Sequence, residues 1–159
     1  EIPLRLVGSE MCIRDRAESV AARLRKHGFK CKTVEITVRD NGLYSFSRQI
    51  HLRQPTNITN EIVTAAFQLF KDNYKWEHPI RSLGIRAADL VLDDIPVQLD
   101  LFGNQEKKEK LEKLDRTVDE IRRRFGYFSI QRAAMYQDKV LSHLDAGTHT
   151  IHPHSYFHG

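Results

Sequence analysis

Gln98, Leu99, Leu101 and Phe102 form a stretch with the chemistry of a docking peptide. A glutamine that can both donate and accept hydrogen bonds is followed by three apolar side chains. Pro96 disfavours helix on its N-terminal side and Gly103 releases the chain, so Gln98 to Phe102 are expected at the surface, extended or in one loose turn. An edge strand of the chain's own core fits the same residues, because Leu99 and Leu101 recur at period two. A second feature is charge. Between Arg16 and Arg53 stand nine Lys/Arg against three acids, whereas Asp89 to Phe102 hold four aspartates and no Lys or Arg. A polyanion attracted to the first region is repelled by the second, so the two are expected to meet different partners. Asp93-Asp94 reads as a solvated pair beside the docking peptide, and no Asp/Glu cluster suited to holding catalytic metal ions is visible.

The elements that position these residues follow from periodicity. The sequence has 159 residues, 40% of them hydrophobic, enough for one domain with appendages. No apolar run reaches the roughly 20 residues of a membrane span and no secretory leader is visible. Cys12 and Cys31 lie far apart without metal or disulfide spacing, consistent with a reduced, cytoplasmic setting. From Arg16, the positions Ala17, Val20, Ala21 and Leu24 predict a helix closed by Gly28, with Arg16, Arg23, Arg25 and Lys26 on its wet face. Thr33 to Arg39 alternate as a strand, with Val34, Ile36 and Val38 toward the core and Thr33, Glu35, Thr37 and Arg39 on the other face. Asp40-Asn41-Gly42 is the turn into a second strand, Tyr44 to Leu52, in which Arg48 falls on the apolar parity and is expected at a strand end or bulge. A helix from Asn60-Glu61 carries Ile62, Val63, Ala66, Phe67 and Phe70, with Tyr74 and Trp76 covering the core edge. Pro79 to Arg86 predict a third strand with a bulge or close approach at Gly84. The expected class is α+β: two helices on one face of a mostly antiparallel sheet, the other face open.

Three segments, from Ala21-Ala22-Arg23-Leu24-Arg25-Lys26-His27-Gly28 through Val38-Arg39, then Ser45-Phe46-Ser47-Arg48-Gln49, then Pro79-Ile80-Arg81-Ser82-Leu83-Gly84-Ile85-Arg86, resemble the little-finger domain of Y-family translesion DNA polymerases over about Arg16 to Val91. Gln98-Leu99-Asp100-Leu101-Phe102 resembles the bacterial sliding-clamp-binding consensus and stands where that family places it. The resemblance implies that the open sheet face grips primer-template DNA, with Arg39, Ser47, Arg48, Gln49, His51, Arg81 and Arg86 as contacts, mostly to phosphate. It implies weaker binding when Arg48 and Arg81 become alanine, and clamp recruitment by Gln98, Leu99, Leu101 and Phe102 in SOS-type damage bypass. The chain departs from the family at the front, where the expected first strand is missing. The catalytic palm with its Mg2+ ions is likewise not contained in this chain.

The expected organisation is therefore a leader over 1–15, a DNA-binding domain over 16–91, a linker with the clamp motif over 92–103, a helical extension over 104–146 and a His-containing tail over 147–159. Leu6 to Asp15 look like translated sequencing-adapter read-through, so the leader is expected to be non-native and the chain to be the C-terminal portion of a longer protein. In the extension, Leu111, Leu114, Val118, Ile121 and Phe125 form a heptad-like stripe, Arg122-Arg123-Arg124 suit the helix dipole or a phosphate, and Ser129 to Leu144 predict a second helix folding back. The tail's four histidines lie beside Pro153 in a terminus poorly suited to a zinc site, and no metal is expected. A stand-alone adaptor that binds nucleic acid and a clamp fits the same features. An RNA-binding domain fits less well, since only Tyr44 and Phe46 could stack bases.

Overall fold

A computed structural model describes residues 4–75, 77–94, 105–131 and 133. Helix α1 (Leu4–Lys26) is followed by strands β1 (Phe29–Asp40) and β2 (Ser45–Thr56), helix α2 (Thr59–Asn73), strand β3 (Ile80–Leu92) and helix α3 (Gln105–Phe125), with a 3-10 turn at Tyr127–Ser129. The three strands form an antiparallel sheet in the order β2-β1-β3, and the α+β class is as expected. Val34, Ile36 and Val38 of β1 are buried under α1 and α2, where they meet Ile62, Ala66 and Phe70 from the α2 stripe and Ala17, Ala21 and Leu24 from α1. Full burial of such large aliphatic and aromatic side chains contributes about 1.5–3 kcal/mol each, which fixes the helices to this one face. Tyr74 closes the edge by stacking on Phe70 and Phe46, with ring centres 5.3 Å and 6.4 Å away.

Several boundaries differ from the periodic reading. Helix α1 starts at Leu4 rather than Arg16, and the stretch expected to lie outside the domain sends Met11 and the fully buried Ile13 inward. Ile13 precedes Ala17 by four residues, so it extends the same stripe by one turn. Strands β2 and β3 run on to Thr56 and Leu92. Gly84 makes no bulge: it pairs in register with Thr37, and the irregularity lies between Arg39 and Asp40, where Arg81 is the extra residue. Arg48 is at neither a strand end nor a bulge. It pairs with Ile36 in mid-strand on the helix-facing side, but β2 is an edge strand there, and Arg48 reaches solvent with its guanidinium 5.3 Å from the centre of the Phe46 ring. In the hairpin turn Leu43, not Gly42, takes the positive φ, while Asp40 Oδ1 accepts from the Tyr44 amide at 3.0 Å.

Helix α3 docks through a polar face. Lys108, Glu112, Asp115, Asp119 and Arg122 recur at three and four residues on one side and meet the domain. Arg25, expected on the wet face of α1, is instead almost enclosed. Its Nε donates to Asp119 Oδ2 at 2.6 Å, Nη2 to Asp119 Oδ1 at 3.0 Å, and Nη1 to the Asn57 carbonyl at 2.7 Å and Asp115 Oδ2 at 3.2 Å. The same Asp115 oxygen accepts from the Thr59 amide at 2.7 Å. Helix α2 has no side-chain cap of its own at Ile58, so α3 satisfies one of its orphan amides and places negative charge at its N-terminus. Arg122 Nη2 donates to Glu18 at 3.0 Å and the Tyr127 hydroxyl to Asp15 at 3.3 Å. The apolar stripe is only partly used, since Leu114 and Phe125 stay exposed. Of the second helix predicted over Ser129 to Leu144, Ser129 closes a 3-10 turn (Tyr127–Ser129) and Ile130 is extended, while 132 and 134–144 lie outside the described residues, as do Trp76, the docking peptide and the histidine tail.

Candidate nucleic-acid interface

Alternation along the three strands gives the sheet two faces, and pairing carries each assignment across. Arg39 pairs with Ser45 and Ser82, Thr37 with Ser47 and Gly84, Glu35 with Gln49 and Arg86, and Thr33 with His51 and Ala88. These residues share the face turned away from α1 and α2. Thr37, Arg39, Ser45, Ser47, Gln49, His51, Ser82 and Arg86 on it are all exposed. Five of the seven predicted contacts, Arg39, Ser47, Gln49, His51 and Arg86, therefore come together on one open surface. Arg48 and Arg81 do not join them: the first is on the helix-facing side of the β2 edge and the second occupies the bulge near the start of β3.

The hydrogen bonds on this face define what it can offer a ligand. Ser47 Oγ and Thr37 Oγ1 are 2.9 Å apart, a pair of exposed hydroxyls that can donate outward in either direction. The Thr33 hydroxyl donates to Asp89, a residue with φ 51° whose side chain reaches back over β1. Because that hydroxyl has one proton, the 3.0 Å approach of Thr33 Oγ1 to His51 Nδ1 assigns the ring proton to Nδ1. Nε2 of His51 is left as the second polar position of the ring, accepting when the ring is neutral and donating when it is charged. Arg86 Nη2 lies 2.7 Å from Glu35 Oε2, with the arginine side chain 68% exposed and the glutamate 15%.

Charge on the face is more balanced than the sequence suggests. Arg39 and Arg86 stand against Glu35 and Asp89, while the basic residues Arg16, Arg23 and Lys26 are exposed on α1. At the end of β3, Asp93 lies between Lys30 Nζ at 2.8 Å and Arg116 Nη2 at 2.9 Å. Partial burial opposes its ionisation, but the hydrogen bonds and charges of Lys30 and Arg116 prevail and hold the carboxyl below its ordinary value. Asp93 is thus tied into the fold, not solvated as its place in the sequence implies. Among the described residues, no three His, Cys, Asp or Glu side chains are placed to hold a metal ion.

Residues 10–101 match the impB/mucB/samB family C-terminal domain. The chain belongs to this family. Relatives of this impB/mucB/samB domain include the DNA polymerase IV of Acetivibrio thermocellus, 41% identical over 128 residues, which span 80% of this chain and 32% of that protein. They also include the DNA polymerase IV of Pelotomaculum thermopropionicum, 33% identical over 78% of this chain and 30% of the relative, and the DNA polymerase IV 2 of Bacillus subtilis, 34% identical over 79% and 30%. The chain spans about a third of the length of these curated relatives. The match of the impB/mucB/samB domain ends at residue 101, yet α3 beyond it supplies the α2 cap and encloses Arg25.

Two features of the open face escape the periodic reading. Parity places Glu35 on the open face, but its pairing with Arg86 joins residues 51 apart in sequence and needs the β1–β3 register. Asp89 enters through a positive φ that strand periodicity does not encode.

Proposed function

We propose that this chain is the DNA-gripping and clamp-recruiting portion of a translesion DNA polymerase. The observation that carries the reading is the convergence of Arg39, Ser47, Gln49, His51 and Arg86 on a sheet face turned away from α1 and α2, in a chain of this family. Arginine forks, paired hydroxyls and a histidine suit phosphate oxygens, and a broad open sheet suits a duplex backbone better than a small ligand. Arg48 and Arg81 flank this face and would contribute charge from its margins. Binding of this kind is indifferent to base sequence and weakens as salt rises. The polymerase chemistry, with its Mg2+, would belong to a palm elsewhere in the polypeptide, and this portion would hold the template to it.

The second half of the proposal concerns Gln98, Leu99, Leu101 and Phe102, whose sequence supports docking to a sliding clamp. They follow Asp93, which ion-pairs across to Arg116 on α3, so the segments on both sides of the motif are attached to one body. Two experiments test the reading. Labelled duplex DNA should bind the full chain at low salt, and Arg39→Ala with Arg86→Ala should weaken binding and lower the salt slope by about 0.9 for each phosphate no longer neutralised. Leu101→Ala with Phe102→Ala should abolish clamp binding while DNA binding persists. Unchanged DNA affinity in the first case would remove the sheet face as the site, and unchanged clamp affinity in the second would return Leu101 and Phe102 to a core role.

A further inference from the structure

Building on the DNA-binding reading above, we propose that Glu35 attenuates the DNA grip of the sheet face by holding Arg86. Glu35 sits in β1, the central strand, between Gln49 on one side and Arg86 on the other. Its side chain is largely covered and forms part of the floor of the face, whereas the Arg86 side chain above it stands mostly in water. The 2.7 Å ion pair sets a carboxylate against Nη2 and offsets the guanidinium's charge where a phosphate would approach. Asp89 adds a second carboxylate on a neighbouring register, bonded to Thr33. A face intended for the tightest grip has no need of two acids. These acids make it a moderated one, suited to a protein that must bind any sequence and also let go.

With Arg86 mostly in water, the pair itself contributes no more than about 1 kcal/mol to folding. Replacing Glu35 by glutamine keeps its size and removes its charge, leaving Arg86 available to phosphate. At the range of an ion pair through a partly wet surface, removal of one repelling charge corresponds to about a threefold to tenfold rise in duplex affinity. The salt dependence should steepen as well, by up to about 0.9 in the slope of log K against log salt if Arg86 then neutralises one further phosphate.

The test is a double-mutant cycle on the full chain, with a labelled duplex titrated by anisotropy at about 50 and 200 mM salt, the range over which phosphate neutralisation is most visible. Four proteins are compared: the starting chain, Glu35→Gln, Arg86→Gln and both together. The expected result is tighter binding and a steeper slope for Glu35→Gln, with the improvement absent when Arg86 is also replaced. Equal or weaker binding by Glu35→Gln would overturn the proposal, showing an acid that orients Arg86 or plays no part. An improvement that survives in the Arg86→Gln background would also overturn it, because the acid would then act on phosphate directly and not through Arg86. Absence of duplex binding by the starting chain would instead remove the DNA reading itself, so the two failures are distinct.

Discussion

Arg25 and Arg86 each pair with a carboxylate on the same small domain, one beneath α3 and the other on the open sheet face. The Arg25 side chain is 8% exposed and bonds to Asp115, Asp119, Thr59 and the Asn57 carbonyl. Arg86 pairs with Glu35 and keeps most of its surface in water. A buried charge without its partners costs far more than an exposed one, so the first arginine is a structural bolt and the second a residue open to a ligand. The same distinction separates Arg122, enclosed with Glu18, from its exposed neighbour Arg123. Charge counts along the sequence treat these residues alike, and the fold divides them into two populations with different work.

The contrast is widest in stability. Arg25→Ala should cost about 3–5 kcal/mol, because it strands the buried Asp115 carboxylate and one side of Asp119, whereas Arg86→Ala, which leaves only the partly exposed Glu35 without its partner, should cost no more than about 1 kcal/mol. Urea unfolding of the two variants checks this, and comparable losses would dissolve the distinction. Next in size is Ile13→Ala, expected to cost about 2–5 kcal/mol as a fully buried residue of the core cluster. A neutral result would detach the N-terminal half of α1 from the fold.

Asp115→Ala should cost about 2–3 kcal/mol through loss of the α2 cap and of one of the two carboxylates that face Arg25, with faster amide exchange at the start of α2, around Arg25 and in α3. The pH dependence separates two further carboxyls near α3. Asp93 is held below its ordinary value of 3.8, so its contribution is present above that pH and is lost as pH falls through the lower folded value. Asp15 shows the opposite sign: burial, with help from Glu18, raises it despite the Tyr127 hydrogen bond. Its ionisation opposes folding, and the penalty grows as pH rises from about 3.8 through the higher folded value. Asp15→Asn should therefore raise Tm at neutral pH, with the advantage closing below about pH 4; a constant difference at all pH would mean that charge is not the cause. The smallest effect is chemical: burial pushes the Cys31 thiol up to about 11, so it should resist alkylation in the native chain at neutral pH and react on unfolding.

What can be read from residues alone follows from the range of the interactions. Val34, Ile36 and Val38, the α2 stripe and the open face all rest on period-two or period-3.6 spacing, and each is where spacing puts it. Ile13 extends the α1 stripe, but its neighbours Gly8, Ser9 and Glu10 obscure the period. Arg25 reads as wet because its partners are 90 and 94 residues away, and Asp115 as the cap of α2 lies 56 residues beyond the amide it satisfies. Parity rightly marks Arg48 as out of place, but the cause is an edge strand rather than a bulge, which depends on which strand lies outermost. Long-range ion pairs and strand order leave little trace in a local pattern.

Whether the open sheet face holds DNA is decided most directly by following backbone amide shifts of the isotope-labelled full chain as a short duplex is added. The largest changes should fall at Arg39, Ser47, Gln49, His51 and Arg86, with Arg25 of α1 and its partners Asp115 and Asp119 of α3 unmoved. Changes centred on α1 and α3, with the sheet face silent, would contradict the assignment of that face to DNA.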